Sequence, residues 1–513
     1  MTGTLGDACA RVLGAARRAP SVVALAGYSA MFAILTWPMV TRIGSTTDGR
    51  PRDGWSLIWQ TRYRERHGLN YSSSRHLDLV PSSTDRRPLA VGITPPDLIG
   101  PPAGDPQTCR AKPPVTCLKG EPMRIAVMLD RLEVGGVEKV AIQQVLALRE
   151  LGHDARLVVL KKRGAGLSAF AEELAEVPVD VLETRLPPLL RASRAVPGFP
   201  FLETFHFTFP LMAHRLVRRD EYDVILCHSS YTCLTAFAVQ RTRGIPVAAV
   251  IWDPTLHVIT SSAYADRVLG RVSAALAPLA RRFDRWLVRR ARLVVLGSLA
   301  YRDYVEELGA QRILVLHPGA VPTERIRPAS ERQPEMLAVT AWKHGKRPER
   351  LLPLLEPNPD LRLVLAGAWL DADLREAFEA EVERRGLGNR VEITGEITEQ
   401  ALAERYATAQ FVVQAWPSPG FGLSPLEAGA QGTTFVIPQG QGSAELFRDG
   451  IDGLIYDPAD EGALATAVDR MTAHPEATLA MGRSAHERVC RRASWRARAA
   501  ELVTELERIV PAS

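Results

Sequence analysis

Residues 124–160 read RIAVMLDRLEVGGVEKVAIQQVLALRELGHDARLVVL and contain one complete strand–helix–strand pattern. Its segments in chain order are an apolar strand at 124–129, a Gly135-Gly136 break, a helix over 137–151 and a second apolar strand at 155–160. The helix is predicted because its apolar residues recur at helical spacing. Two strands joined through a helix lie parallel in one sheet, so this stretch predicts an α/β fold.

Further short apolar segments predict that the same pattern continues into two parallel sheets. In the first half the predicted strands lie at 224–226, 247–251 and 293–296, and in the second half at 337–339, 361–366, 391–393, 411–413 and 434–437. A stretch rich in proline and charge at 317–335 separates the halves. We therefore predict two doubly wound, Rossmann-like domains facing across a cleft. Such sheets bind ligands at the carboxyl ends of their strands, so the cleft is the expected site.

The first 122 residues differ in composition from the rest of the chain. No charged residue occurs between Ala19 and Thr41, and a helix of this length would cross a bilayer core of about 30 Å. We predict a membrane-spanning helix over 20–41, with a buried helix or a cleaved signal peptide as the alternatives. Arginines after the run weakly favour a C-terminal side in the cytoplasm. Residues 43–122 are rich in Ser, Thr, Pro, Asp and Arg, which predicts an extended or disordered linker.

Composition excludes several classes of protein. Hydrophobic residues make up 46% and charged residues 24% of the 513 residues, which argues against a mostly disordered chain and against a protein with many membrane spans. A net charge of +5 with only 6% aromatic residues argues against nucleic acid as a partner. The six cysteines form no CxxC pair and no Cys/His cluster, so we expect free thiols and no structural zinc.

The segment at 419–433 carries the strongest functional pattern. After Pro419 it reads Gly420-Phe421-Gly422-Leu423, and glycines let a backbone approach a ligand closely. A helix beginning after Gly422 would direct backbone N–H groups and its positive end at an anion such as a diphosphate. Glu427 would lie about one turn into that helix, where a carboxylate can accept hydrogen bonds from ribose hydroxyls. The alternative is a plain loop–helix junction with a solvated Glu427.

This segment resembles the donor-binding motif of the family 4 glycosyltransferases, which have the two-domain GT-B fold. Further matches follow the family's order along residues 123–513. They are Gly135-Gly136-Val137-Glu138, the strand at 223–228 ending in His228, His317-Pro318-Gly319, Trp342 with Lys346-Arg347-Pro348, Gly432-Thr433, Ala444-Glu445, the turn at 449–454 and the final helix at 494–510. The chain thus resembles this family over about three quarters of its length.

The resemblance implies a division of the chain into four segments. They are an N-terminal extension at 1–122, an acceptor-side domain at 123–320, a nucleotide-sugar-binding domain at 321–488 and a helix at 489–513 that returns to the first domain. Within the extension, Thr36-Trp37-Pro38 with Asp53, Trp55 and Trp59 is weakly similar to the start of polytopic membrane glycosyltransferases. We carry no function over from that second similarity.

The family's roles are carried over where residues match. The donor-binding candidates are Gly135, Gly136, Lys346, Arg347, Gly420, Phe421, Gly422, Leu423 and Glu427. The resemblance implies that Lys346, with Arg347, neutralises the diphosphate leaving group and that Glu427 holds the ribose. The catalytic candidates are Asp253, His228 and Lys346. For His228, a structural hydrogen-bonding role stays open, because histidine has many roles besides catalysis.

Three positions depart from the family pattern. Pro419 stands where the family has the first glutamate of its motif, and Ala341 stands where it has an arginine. The family's histidine before Asp253 is replaced by Trp252, whose indole can only donate a hydrogen bond. These departures bear on how the donor sugar is held.

The resemblance implies a retaining transfer of a hexose from a nucleotide-sugar to a glycan or lipid-linked acceptor at the cytoplasmic side of the cell membrane. No cofactor and no metal are expected, because lysine and helix N-termini can stabilise the departing diphosphate. The alternative function is a nucleotide-sugar-binding or scaffold protein of the same fold with weakened catalysis. An epimerase of the same fold would need catalytic acids that we cannot assign.

Overall fold

The computed structural model describes residues 121–132, 135–161, 171–191, 195–196, 199–203, 205–257, 267–343, 345–416 and 420–511. The predicted membrane helix at 20–41, residues 43–120 of the predicted linker at 43–122 and Pro419 lie outside these residues. Among the residues described, no helix is both long and apolar enough to cross a membrane. Cys227 and Cys233 are free and buried, but Cys490 is disulfide-bonded. The expectation of free thiols was wrong for Cys490, because sequence spacing does not show which cysteines approach in space.

The strands of the first half are β1 (Arg124–Leu129), β2 (Asp154–Val159), β3 (Val179–Val181), β4 (Ala195–Val196), β5 (Phe199–Glu203), β6 (Val224–Cys227), β7 (Val247–Ile251), β8 (Leu293–Leu296) and β9 (Ile313–Val315). Seven of them form a parallel sheet in the order β3-β2-β1-β6-β7-β8-β9, while β4 and β5 pair antiparallel. The strand order reverses between β1 and β6, and a crevice for ligands opens at such a point.

The helices of the first half connect these strands. They are α1 (Gly136–Glu150), α2 (Ala171–Glu176), α3 (Pro188–Arg191), α4 (Phe205–Leu216), α5 (Ser230–Arg243), α6 (Arg267–Arg290) and α7 (Arg302–Glu307). The start and end of α5 follow from its sequence. Ser229 and Thr232 form a reciprocal capping box at its N-terminus, and Gly244 ends it in a left-handed conformation with φ of 78°.

The second half repeats this design. Its strands are β10 (Glu335–Val339), β11 (Arg362–Ala366), β12 (Val391–Gly395), β13 (Phe411–Val413), β14 (Thr434–Pro438) and β15 (Leu454–Tyr456). They form a six-stranded parallel sheet in the order β12-β11-β10-β13-β14-β15. The order reverses here between β10 and β13, which gives this sheet its own ligand crevice.

The remaining helices are α8 (Ala372–Arg384), α9 (Glu399–Thr408), α10 (Leu423–Ala430), α11 (Ala463–Ala473), α12 (Pro475–Arg492) and α13 (Trp495–Glu507). Helix α13 leaves the second half and packs against α1. Its buried residues Leu502 and Leu506 belong to the same apolar cluster as Val127 of β1. The last helix of the chain therefore joins the core of the first half.

Both faces of each sheet are buried, as expected for parallel strands covered by helices. In β1, Ile125 and Val127 belong to the cluster on one face, whereas Ala126 and Met128 belong to the cluster on the other. The predicted arrangement of two parallel α/β sheets is confirmed. Strands β3, β9 and β15 were not predicted. Each has three residues and lies at the edge of a sheet.

Candidate functional site

Two helix N-termini meet where the two sheets face each other. Helix α1 has Gly135 as its N-cap, and α10 has Gly422. A Cβ atom placed on Gly136 would lie 3.3 Å from Cδ1 of Leu423, so the first residues of the two helices are in contact. Glycine N-caps bring no capping side chain, and the first-turn N–H groups are therefore left to bind an anion.

The loop before α10 has a conformation that requires glycine. Gly422 has φ of 72°, and a Cβ atom on it would overlap the side chain of Gln441. The loop is fixed by the segment that follows β14, since the N–H groups of Gly442 and Ser443 donate to the carbonyls of Gly420 (3.2 Å) and Phe421 (2.7 Å). The structure therefore holds the predicted residues Gly420, Phe421 and Gly422 in one fixed loop before α10 and places Leu423 against Gly136 of the first half.

Glu427 lies one turn into α10, as predicted, but it is not solvated. Its Oε1 accepts from Nζ of Lys139 at 2.6 Å, and its Oε2 accepts from the hydroxyl of Tyr406 at 2.8 Å. The Glu427 side chain is 18% exposed. Burial, followed by the charge of Glu427, raises the pKa of Tyr406 well above its ordinary value, so the hydroxyl stays protonated as a donor.

Lys346 lies on the loop that follows β10. Its Nζ is 5.0 Å from the ring centroid of Trp416, which lies four residues before Gly420. Burial, followed by the nearby charge of Lys343, lowers the pKa of Lys346 to about 8, while the charge of Asp253 acts in the opposite direction. Asp253 belongs to the first half, so Lys346 and Asp253 face each other across the cleft.

Arg347 does not share this position. It takes a left-handed conformation with φ of 49° at the start of a 3-10 helix, and its Nε donates to Oε1 of Glu349 at 3.3 Å. Both side chains are exposed. The geometry therefore shows Lys346, and not Arg347, against Trp416.

His228 follows β6 at the carboxyl edge of the first sheet. The ring is buried, and its Nε2 is 2.9 Å from Oε1 of Gln144 on α1. Burial lowers the pKa of His228 to about 3, so the ring is neutral at physiological pH. Among the described residues, Nδ1 of His228 and Nε1 of Trp252 have no hydrogen-bond partner. A ring of 1% exposure fits the structural alternative better than direct proton transfer.

Asp253 follows β7 and is exposed to the cleft. Its Oδ1 accepts from the hydroxyl of Tyr301 at 2.8 Å. Burial and then the charge of Asp253 raise the pKa of Tyr301 above its ordinary value. Asp253 is thus oriented by one hydrogen bond and keeps carboxylate lone pairs that can accept from a ligand.

The two halves also meet at Glu445, part of the predicted Ala444-Glu445 match. Its carboxylate accepts from the backbone N–H of Leu299 at 2.9 Å and lies 2.8 Å from Nε2 of His317. A Cβ atom on Gly442 would lie 2.8 Å from Cβ of Ser298. The cleft is therefore bounded by direct contacts between the halves.

Sequence reasoning missed three polar residues of this site. Lys139 contacts the carboxylates of both Glu399 and Glu427, and Tyr406 donates to Glu427. Lys139 directly follows the Gly-Gly-Val-Glu sequence, which was the only local signal for it. Glu399 and Tyr406 lie in α9, and nothing in their spacing shows that they approach α1.

Comparisons with known proteins show which family has this sequence pattern. Residues 135–319 match the sequence model of the glycosyl transferase 4-like domain, and residues 320–488 match that of the glycosyl transferases group 1. The two matches are consecutive and cover the second sheet and all strands of the first sheet except β1. The chain belongs to the family 4 glycosyltransferases.

Curated relatives of the family match at moderate identity. The D-inositol 3-phosphate glycosyltransferase of Mycobacterium sp. (strain JLS) is 27% identical over 274 residues, which are 50% of this chain and 61% of the relative. The glycogen synthase of Mycobacterium tuberculosis (strain ATCC 25618 / H37Rv) is 26% identical over 53% of this chain and 66% of the relative. The matched region thus spans about three fifths to two thirds of the length of these relatives.

Solved structures of the family have the same fold. HepE of Anabaena in complex with UDP and glucose has a TM-score of 0.56 at 20% identity, over 75% of this chain and 99% of that one. The sucrose-phosphate synthase of Thermosynechococcus elongatus has a TM-score of 0.59 at 19% identity, over 76% of this chain and 99% of that one. These similarities, with the two parallel sheets, confirm the predicted GT-B fold.

Two of the departures from the family pattern can be described. Trp252 packs its ring on Gly297, where a Cβ atom would lie 2.6 Å from Cζ3 of the indole, so the larger side chain is accommodated by a glycine. Ala341 is exposed, and the neighbouring Lys343 is exposed as well. Within the described part of the chain, no group of three or more His, Cys, Asp or Glu side chains is placed to hold a metal ion.

Proposed function

We propose that this chain is a retaining glycosyltransferase that moves a hexose from a nucleotide-sugar to a hydroxyl of a glycan or lipid-linked acceptor. The observation that carries the proposal is the meeting of the α1 and α10 N-termini at Gly136 and Leu423. Two positive helix ends at one point favour a ligand with adjacent negative charges, and the diphosphate of a nucleotide-sugar has them.

The position of Lys346 also favours a diphosphate ligand. It is partly desolvated, and its neighbours are one lysine and one aspartate. A lysine charge in such a site gains more from an incoming diphosphate than it would in water, because the surrounding dielectric is lower. In the proposed reaction, Lys346 and the α10 N-terminus stabilise the nucleoside diphosphate as it departs.

The other groups align the substrates. Glu427 accepts hydrogen bonds from the ribose, and Asp253 contacts the transferred sugar or the acceptor hydroxyl from the opposite side. Holding both reactants in line accounts for much of such an enzyme's effect, since correct orientation removes an entropic barrier. The lysine and the helix ends supply the positive charge that the reaction needs, and the proposal therefore includes no metal.

The structures of HepE, which were solved with UDP, with UDP and glucose and with UDP-glucose, make UDP-sugars the first donors to test. For the acceptor, the proposal includes a membrane surface. Helix α6 exposes Arg281, Arg282 and Arg285 along one groove, and a basic helical face of this kind is attracted to anionic lipids.

The experiment is turnover by the full-length chain. Nucleoside diphosphate release is measured with UDP-, GDP- and ADP-sugars, with and without a panel of glycan and lipid-linked acceptors. The proposal predicts release above the background hydrolysis rate only when one donor and one acceptor are both present. No release with any combination would contradict it.

Trp252 favours one second candidate, a nucleotide-sugar-binding protein with weakened catalysis. The indole replaces a family histidine and cannot accept a proton. This candidate predicts nucleotide binding without turnover. Turnover at a rate above background excludes it.

A further inference from the structure

Lys139 makes an ion-pair contact that crosses the cleft. It lies in the first turn of α1, and its Nζ is 2.6 Å from Oε1 of Glu427 on α10 and also contacts the carboxylate of Glu399 on α9. The three side chains are only 18–32% exposed. A single lysine of the first half thus pairs with two helices of the second half.

The ion pair with Lys139 occupies Glu427, the carboxylate that holds the ribose in the proposed function. Oε1 of Glu427 accepts from Lys139 and Oε2 accepts from Tyr406, so each oxygen already has a donor. A carboxylate accepts further hydrogen bonds only where its remaining lone pairs are accessible, and Glu427 is largely buried. In this arrangement the ammonium of Lys139 takes the place of a ribose hydroxyl.

Glu399 remains an ion-pair partner for Lys139 when a ribose binds Glu427. Burial lowers the pKa of Lys139, but the charges of Glu427 and Glu399 outweigh this and raise it above its ordinary value. An unpaired lysine in such a position would be costly, because it would leave a partly buried charge uncompensated. With Glu399 still paired, Lys139 can release Glu427 without losing both partners.

We propose that Lys139 is a latch between the two halves: it pairs with Glu427 while the donor site is empty, and the ribose of the donor displaces it onto Glu399. The displacement part of this proposal rests on the proposed function. The latch part does not, because the contact between α1 and α10 joins side chains of the protein itself.

The first test leaves the nucleotide out. Hydrogen exchange of backbone amides is measured on full-length wild type, on Lys139→Met and on Arg185→Met. The last variant is the control, because it breaks a partly buried ion pair of 2.6 Å with Glu221 inside the first half. Lys139→Met should raise exchange at the hydrogen-bonded amides that follow the first turns of α1 and α10 by roughly fivefold, and Arg185→Met should not. Unchanged exchange at both helices in Lys139→Met overturns the latch.

The second test is calorimetric titration with UDP, GDP and ADP. For the nucleotide that binds wild type, Lys139→Met should lower Kd by about fivefold, because no ion pair then competes with the ribose. Glu399→Gln should raise Kd, since Lys139 then has Glu427 as its only charged partner. A higher Kd for Lys139→Met would mean that Lys139 orients Glu427 for the nucleotide, and the displacement would be wrong.

Failure of the proposed function and failure of the latch give different results. Wild type that binds none of the three nucleotides contradicts the proposed function and the displacement with it, while the exchange result still decides the latch. Wild type that binds a nucleotide, with no change of exchange in Lys139→Met, contradicts the latch alone.

Discussion

The two sides of the cleft differ in how their polar groups are used. On the second half, Lys346 is half-buried above Trp416, and the α10 N-terminus begins at an uncapped glycine. On the first half, His228 is buried against Gln144, and Trp252 packs on Gly297. The side-chain charge that suits a diphosphate is thus on the second half, and the first half adds the N-terminus of α1, while Nε2 of His228 is already paired within the protein.

This difference separates donor binding from the rest of the reaction. Groups on the second half should determine whether a nucleotide binds and departs. On the first half, Asp253 is the candidate that is both exposed and charged, and it should determine how well the sugar and the acceptor are aligned. Variants on the two sides should therefore affect different kinetic constants.

The largest effect is expected for Lys346→Ala. Removal of the charge that stabilises the departing diphosphate should lower kcat by roughly 10²- to 10³-fold, the range found when one stabilising group is removed from an active site. Steady-state kinetics with the donor found in the turnover panel provide the measurement.

Lys343→Ala is the matched control, because Lys343 is an exposed lysine three positions away. It should change kcat by less than about threefold, as expected for an exposed charge. Equal losses in the two variants would mean that net charge matters and that the position of Lys346 does not.

A smaller effect is expected for Asp253→Asn. The asparagine can still accept from Tyr301, but it lacks the charge that faces Lys346. We expect kcat to fall about tenfold, with little change in the KM of the donor, because one electrostatic contact is lost on the acceptor side. Tyr301→Phe removes only the hydrogen bond to Asp253 and should cost less. A rise in donor KM with unchanged kcat would place Asp253 on the donor side instead.

The pH dependence of kcat/KM tests the role of Lys346 on the second half. The pKa of Lys346 is lowered to about 8, so the lysine is charged below that pH and neutral above it. Since the diphosphate needs the charged form, kcat/KM of the donor should fall as pH rises through about 8, by up to about tenfold per pH unit. Lys346→Arg should remove this decline, because arginine stays charged. A decline that persists in Lys346→Arg would assign it to another group.

The smallest effect on the rate is expected for His228→Gln. If His228 is structural, kcat should change by less than about fivefold, whereas the free energy of unfolding should fall by about 1–3 kcal/mol because a buried hydrogen bond is disturbed. The pKa of His228 falls from 6.5 to about 3 on folding, so the native state opposes protonation. Wild-type stability should therefore decrease as pH falls below 6.5, and less steeply in His228→Gln. Urea unfolding of wild type and of His228→Gln between pH 7 and pH 5 measures both stabilities. A large loss of kcat in His228→Gln would contradict the structural role and support a catalytic one.

The central strands of the two parallel sheets could be predicted, whereas of the four edge strands only β12 was. Strands such as β1 and β6 are apolar on both faces, because helices cover both sides of the sheet, and this gives continuous apolar runs. The edge strands β3 and β9 have three residues each and are at best half-buried. A run of three residues is too short to show the periodicity of a strand.

The site divides in the same way. The Gly420-Phe421-Gly422-Leu423 loop was predictable because its backbone conformation imposes glycine locally. The contacts of Lys139 were not, because they join residues 260 and 288 positions apart. The surroundings of Lys346 likewise include Trp416 and Asp253, which belong to other parts of the chain.

The central claim is that the cleft binds a nucleotide through α10 and Glu427. The most direct measurement is a thermal-shift panel on the full-length chain and on Glu427→Ala with UDP, GDP, ADP and their sugars. One nucleotide should stabilise wild type by about 2.7 kcal/mol at 100 times its dissociation constant, and the shift should weaken in Glu427→Ala. No shift with any nucleotide, or an equal shift in both proteins, would contradict the account.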